Sequence, residues 1–124
     1  MTTAHSISQM TLGVFIKALE SLDPSAICQF DSGSFVGKAD SYRGYYSDLA
    51  LSPCSTPSTV GSVLAEANAA MGNSFMGYKG GSYLMHPDTR IWHGSYGTTS
   101  EGRLIVGFRV FGNMVTILTM DEGK

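Results

Sequence analysis

Two stretches of the chain set a cation beside glycine and tyrosine: Asp40-Ser41-Tyr42-Arg43-Gly44-Tyr45-Tyr46 and Phe75-Met76-Gly77-Tyr78-Lys79-Gly80-Gly81. Arginine and lysine bind phosphate or carboxylate oxygens, glycine lets backbone N–H groups come close to them, and a tyrosine ring offers a face for stacking. Together they suit an anionic, flat-ringed ligand such as a nucleotide. The binding candidates are Tyr42, Arg43, Gly44, Tyr45, Tyr78, Lys79 and Gly80, joined by Arg109 from a later strand. Arg90, Trp92, Tyr83 and Tyr96 lie near them in sequence. The alternative for either stretch is a sheet edge with half-buried tyrosines and solvated cations.

The other reactive side chains do not form a known catalytic pattern. His86 and His93 flank a turn with no cysteine nearby, so the close Cys/His spacings of metal sites are missing. Asp88 could orient one of these histidines, or simply bond its own backbone in the turn. No serine sits in a Gly-x-Ser-x-Gly elbow. The 77–81 glycines fall between strands, whereas Walker and dinucleotide loops need a strand–loop–helix context. The chain is therefore expected not to be an enzyme and to need neither metal nor cofactor.

Composition bounds the partners. The chain has 124 residues, 43% hydrophobic and 15% charged, which fits one globular domain with a sizeable core. A net charge of −2 argues against a duplex phosphate backbone as partner, since that requires a basic stripe. The ten acidic residues are too scattered for a nucleic-acid mimic. No apolar run approaches the ~20 residues of a membrane span, and the N-terminus lacks the pattern of a signal peptide. Cys28 and Cys54 are expected to be reduced, and the protein cytoplasmic.

The elements that would position these residues follow from periodicity and punctuation. Residues 1–10 read as a flexible arm before an α+β domain over 11–120. Thr11 caps a helix carrying Leu12, Phe15, Ile16, Leu19 and Leu22 at helical spacing, ended by Asp23-Pro24. Ile27 to Phe30 is a short strand, residues 31–41 a loop, Tyr42 to Leu51 a strand and 53–58 a linker. Thr59 caps a second helix with Val60, Val63, Leu64, Ala67 and Met71 on its apolar stripe, and Gly72 stops it.

The rest reads as strand. Phe75 to Met85 is interrupted by Gly80-Gly81, His86 to Thr89 is a turn, Arg90 to Tyr96 alternates, and 97–102 is a polar turn. Leu104, Val106, Phe108 and Val110 then line one strand face, with Arg103 and Arg109 on the other. Gly112-Asn113 makes a two-residue hairpin turn, and Val115, Ile117 and Thr119 return on the same face as Phe108, so that Phe108 lies across from Ile117 and, on the other face, Arg109 across from Thr116. The expected architecture is two amphipathic helices packed on one face of a mostly antiparallel sheet. Phe111, Met114, Leu118 and Met120 on the opposite face point to a homo-oligomer. The shared starts Thr11-Leu12-Gly13 and Thr59-Val60-Gly61, each followed later by a cation–glycine–tyrosine stretch, hint at a duplicated helix-plus-strand unit.

The Asp40–Tyr46 and Phe75-x-Gly77-Tyr78-Lys79-Gly80-Gly81 stretches, each preceded by a Thr-Φ-Gly helix start (Φ, aliphatic), resemble a group of small proteins encoded by tailed bacteriophages and prophages. The resemblance runs from about residue 11 to about residue 110 and brings no catalytic residues with it. It implies an accessory protein that antagonises host defence inside an infected bacterium. Three functions stay open. The favoured one is non-catalytic sequestration of a nucleotide signal, of cyclic or ADP-ribose type. The others are a protein-binding inhibitor of a CRISPR-type nucleic-acid-guided effector, and a small nucleotide hydrolase.

Overall fold

The computed structural model describes residues 9–42, 48–76, 81–95 and 98–121. The protein is α+β, with helices α1 (Leu12–Glu20) and α2 (Val60–Ala70). Its strands are β1 (Ile27–Phe30), β2 (Phe35–Ser41), β3 (Leu49–Cys54), β4 (Ser58–Thr59), β5 (Ser74–Met76), β6 (Ser82–Leu84), β7 (Ile91–Ser95), β8 (Thr98–Phe111) and β9 (Met114–Met120). Seven strands form one mixed, mostly antiparallel sheet in the order β2-β3-β7-β8-β9-β1-β4, while β5 and β6 form a separate ladder. An additional β1–β2 pairing closes six of these strands into a ring, with β4 outside it on β1.

Two halves of the chain follow the same plan. Each runs helix, proline turn, three strands. β1 lies parallel to β9, and its counterpart β7 lies parallel to β3; every other pairing in the ring is antiparallel. The helix starts match in detail. Thr11 and Thr59 are both extended N-caps whose side chains accept from the backbone N–H of Val14 and Ser62. Leu12 N–H donates to the Thr89 carbonyl and Gly13 N–H to Pro87, while Val60 N–H donates to Ala26 and Gly61 N–H to Pro24. Each helix thus sets its first free N–H groups on the proline turn of the other half.

That contact explains the repeated glycine. A Cβ on Gly13 would stand 3.1 Å from both the Cβ and the carbonyl oxygen of Pro87, and one on Gly61 3.2 Å from the Pro24 oxygen. The equivalence does not extend to the cation-bearing stretches. The first connects β2 to β3, the position held in the other half by the β8–β9 turn. The second belongs to the β5–β6 hairpin, inserted between α2 and the second proline turn.

One core holds the halves together. It contains Leu12, Phe15, Ile16 and Leu19 from α1, Val60, Val63, Ala67 and Ala70 from α2, and Cys28, Phe30, Leu49, Leu51, Ile91, Ile105, Val115 and Ile117 from the sheet. Full burial of each large apolar side chain contributes about 1.5–3 kcal/mol. Phe15 stacks on Phe108 at 5.4 Å. A smaller cluster forms on the other side of the sheet, where Tyr42, Ala50 and Trp92 pack with Leu104. Both cysteines are free, and burial raises the Cys28 thiol pKa to about 12. None of the helices among the described residues is long and apolar enough to cross a membrane.

Both helices and their threonine caps agree with the sequence reading, as does the β8–β9 register: Phe108 pairs with Ile117 and Arg109 with Thr116. Gly112 alone in that turn has positive φ, 59°, the pattern of a type II′ turn. Several boundaries differ. Residues 35–41, expected as loop, form β2, paired with β3 from Phe35↔Cys54 to Ser41↔Leu49. The strand expected over 42–51 is β3, Leu49–Cys54. Pro53 fits there because the β7 ladder on that side ends at Leu51. Within 75–85, β5 and β6 pair antiparallel, with Phe75 opposite Tyr83, rather than forming one interrupted strand.

β8 begins at Thr98, not after a 97–102 turn, and its pairing with β9 shifts between Ile105 and Gly107. This bulge switches the face. Ile105 and Phe108 both reach the main core, Leu104 faces the second cluster, and Val110 is exposed. Arg103 and Arg109 therefore lie on opposite faces, not the same one. Within the arm expected at 1–10, Gln9 Nε2 donates to the Ile91 carbonyl and Met10 N–H to Ile105; residues 1–8 lie outside the described residues.

Candidate functional site

Strand order brings the end of β1, the middle of β7, the start of β8 and the end of β9 together. The side chains they carry there are polar. His93, only 8% exposed, stacks on Phe30 with ring centroids 3.8 Å apart and planes 12° from parallel. Its Nε2 lies 3.0 Å from the exposed Ser32 Oγ, and its buried Nδ1 has no hydrogen-bond partner. Next to this pair, Asp31 accepts from Thr119 twice, from N–H at 2.8 Å and from Oγ1 at 2.7 Å. Arg103 Nε donates to Thr119 Oγ1, its NH2 donates to the Thr119 carbonyl, and its NH1 pairs with Asp121. The Thr119 hydroxyl thus has a fixed role, accepting from Arg103 and donating to Asp31.

Burial sets the charge state of the imidazole. Desolvation holds the His93 pKa below its ordinary value, and Arg103 pushes the same way. The Gly94 backbone and the Asp31 carboxylate oppose this without reversing it. His93 is therefore neutral near pH 7. No group of three or more His, Cys, Asp or Glu side chains among the described residues could hold a metal ion.

A second polar cluster lies where the first cation-bearing stretch leaves the sheet. Asp48, buried, accepts from Trp92 Nε1 at 3.0 Å and sits 3.7 Å from Arg90 Nε. Tyr42 N–H donates to the Asp48 carbonyl at 2.9 Å, closing the connection at its base. The Tyr42 ring is 1% exposed and stacked on Trp92 at 4.2 Å. Expected to face a ligand, it is instead a core ring, because Trp92 and Ala50 offer it an apolar face.

Of the other expected binding residues, Arg43, Gly44, Tyr45, Tyr78, Lys79 and Gly80 lie outside the described residues. Arg109 is exposed on β8, across from Thr116, and β7 separates its strand from β3. In the 86–89 turn, Asp88 N–H donates to His86 Nδ1 and His86 N–H to Thr89 Oγ1, so these groups hold the turn. The Ser32–His93 pair was not legible beforehand: 61 residues separate the two, and only the Asp31-Ser32-Gly33 turn marked the serine. Comparison with protein-family models, with curated proteins and with solved structures finds no match.

Proposed function

We propose that this chain is a non-catalytic binder of a small anionic, ring-bearing ligand of the nucleotide class, and that it serves as a phage-type accessory protein sequestering a nucleotide signal of host defence. The observation that carries this reading is that β5 packs beside β2. Each of these strands runs directly into one of the two cation–glycine–tyrosine stretches, so both stretches leave from neighbouring strands. Each is also anchored at its base, by the Tyr42–Asp48 backbone bond and by the Met76↔Ser82 pair. In this reading Arg43 and Lys79 bind phosphate oxygens and Tyr45 and Tyr78 stack on the base.

A thermal-shift screen against cyclic and ADP-ribose-type nucleotides tests it. A ligand present at 100 times its dissociation constant stabilises by about 2.7 kcal/mol, so the true ligand raises the melting temperature by several degrees. A panel without any response removes the reading.

The inhibitor of a CRISPR-type effector remains the second reading, because Phe111, 85% exposed at the β8–β9 turn, is the kind of anchor a protein partner takes up. A purified effector that binds the chain while no nucleotide does would favour it.

A further inference from the structure

Ser32 stands exposed on the turn between β1 and β2. The turn is held by Gly33 N–H donating to the Phe30 carbonyl, Phe30 N–H to Ser34, and Asp31 N–H to Ile117. The imidazole beside it is held as firmly, with Phe30 against its face and the β7 backbone beneath it. The Ser32 hydroxyl lies 3.0 Å from Nε2 and 3.3 Å from the Ser34 Oγ; with the ring proton on Nδ1, Nε2 accepts from Ser32, the geometry in which serine is activated.

We propose that Ser32 is a nucleophile, with His93 as its base, that accepts an acyl group from an activated ester. The Oγ–carbonyl carbon bond forms as the Ser32 proton passes to His93 Nε2. The tetrahedral adduct then collapses, the bond to the leaving oxygen breaks, and that oxygen departs as an anion or takes the proton back from His93. The acyl-serine persists. In a complete triad a carboxylate holds the imidazolium through Nδ1, but here Asp31 is engaged by Thr119 and Nδ1 has no partner. The site therefore takes one equivalent and turns over slowly. None of the residues assigned to nucleotide binding takes part, so the two proposals stand or fall separately.

The test is p-nitrophenyl acetate on the full chain, with release of p-nitrophenolate followed by absorbance and the acetyl group located by peptide mass spectrometry. A burst of one equivalent is expected, with acetylation of Ser32 on the order of a hundredfold faster than that of the exposed Ser55 in the same digest. Ser32→Ala should abolish the burst. His93→Gln should slow it by about a hundredfold in folded protein, judged by circular dichroism. Acetylation of Ser32 no faster than of Ser55 in the wild-type chain overturns the proposal, as does a burst that persists in Ser32→Ala. The comparison within the wild-type digest does not depend on any variant folding.

Discussion

Phe30 and His93 hold equivalent places in the two halves of the chain and stack on each other, ring centroids 3.8 Å apart. Phe30 is the fourth residue after Ala26, whose carbonyl accepts from the α2 start, and His93 is the fourth after Thr89, whose carbonyl accepts from the α1 start. One half places a phenyl ring at this position and the other an imidazole. The contact is therefore both the meeting point of the halves and the place where they differ in chemistry.

That difference makes stability depend on pH. The folded pKa of His93 lies below its ordinary 6.5, so the unfolded chain takes up the proton first. Stability is complete above about pH 6.5 and falls as pH drops through that value toward the folded pKa. His93→Phe should remove this acid step. It should also raise neutral-pH stability by about 1 kcal/mol, because the unpartnered Nδ1 is gone. Melting curves from pH 5 to 8 decide it; an acid slope unchanged in the variant would assign the titration elsewhere.

Gly13→Ala and Gly61→Ala should both destabilise, by about 1–2 kcal/mol, as expected when a side chain is forced into a closed contact. Inside an unconstrained helix the same change stabilises, so the sign is diagnostic. The proline turns are held by the hydrogen bonds from the helix starts, so they cannot retreat. Chemical denaturation of each variant measures the effect, and a gain in stability in either would show that the turn yields.

Gly112→Val should cost roughly 1–3 kcal/mol, since a β-branched residue is placed at φ 59°. An unchanged melting temperature would mean that the turn re-forms with another geometry.

Much of the fold is legible in the sequence where local signals and tertiary packing agree. The Thr-capped helices and the Gly112-Asn113 hairpin with its register are of this kind. β2 is not legible because, among its described side chains, Val36 alone is buried and Gly37, Lys38 and Asp40 break any alternation. The face switch in β8 needs a bulge at Val106 that uninterrupted apolar residues do not announce. Thr-Φ-Gly was visible as a repeat, but its cause is a contact with a distant proline turn. Of the binding candidates, Tyr42 looked like a ligand-facing ring because no local pattern reveals that Trp92 covers it. The Ser32–His93 pair likewise arises only from ring closure of the sheet.

A homodimer is expected through the outer face of β8 and β9, where Phe111, Met114 and Met120 are exposed. Light scattering should return about twice the 13.2 kDa chain mass, and Phe111→Asp should return the single-chain mass. A wild-type chain that scatters as one copy at micromolar concentration ends this claim.

The central claim is non-catalytic capture of a nucleotide through Arg43 and Lys79. Its most direct measurement is titration calorimetry with the nucleotide that gives the largest thermal shift, followed by heat release and chromatography of the bound ligand. The account predicts that the nucleotide returns chemically intact. It also predicts that Arg43→Ala and Lys79→Ala each weaken binding about ten- to a hundredfold, the loss of one charge-assisted hydrogen bond, with melting nearly unchanged. A nucleotide recovered hydrolysed, or affinity unaltered in both variants, would contradict it.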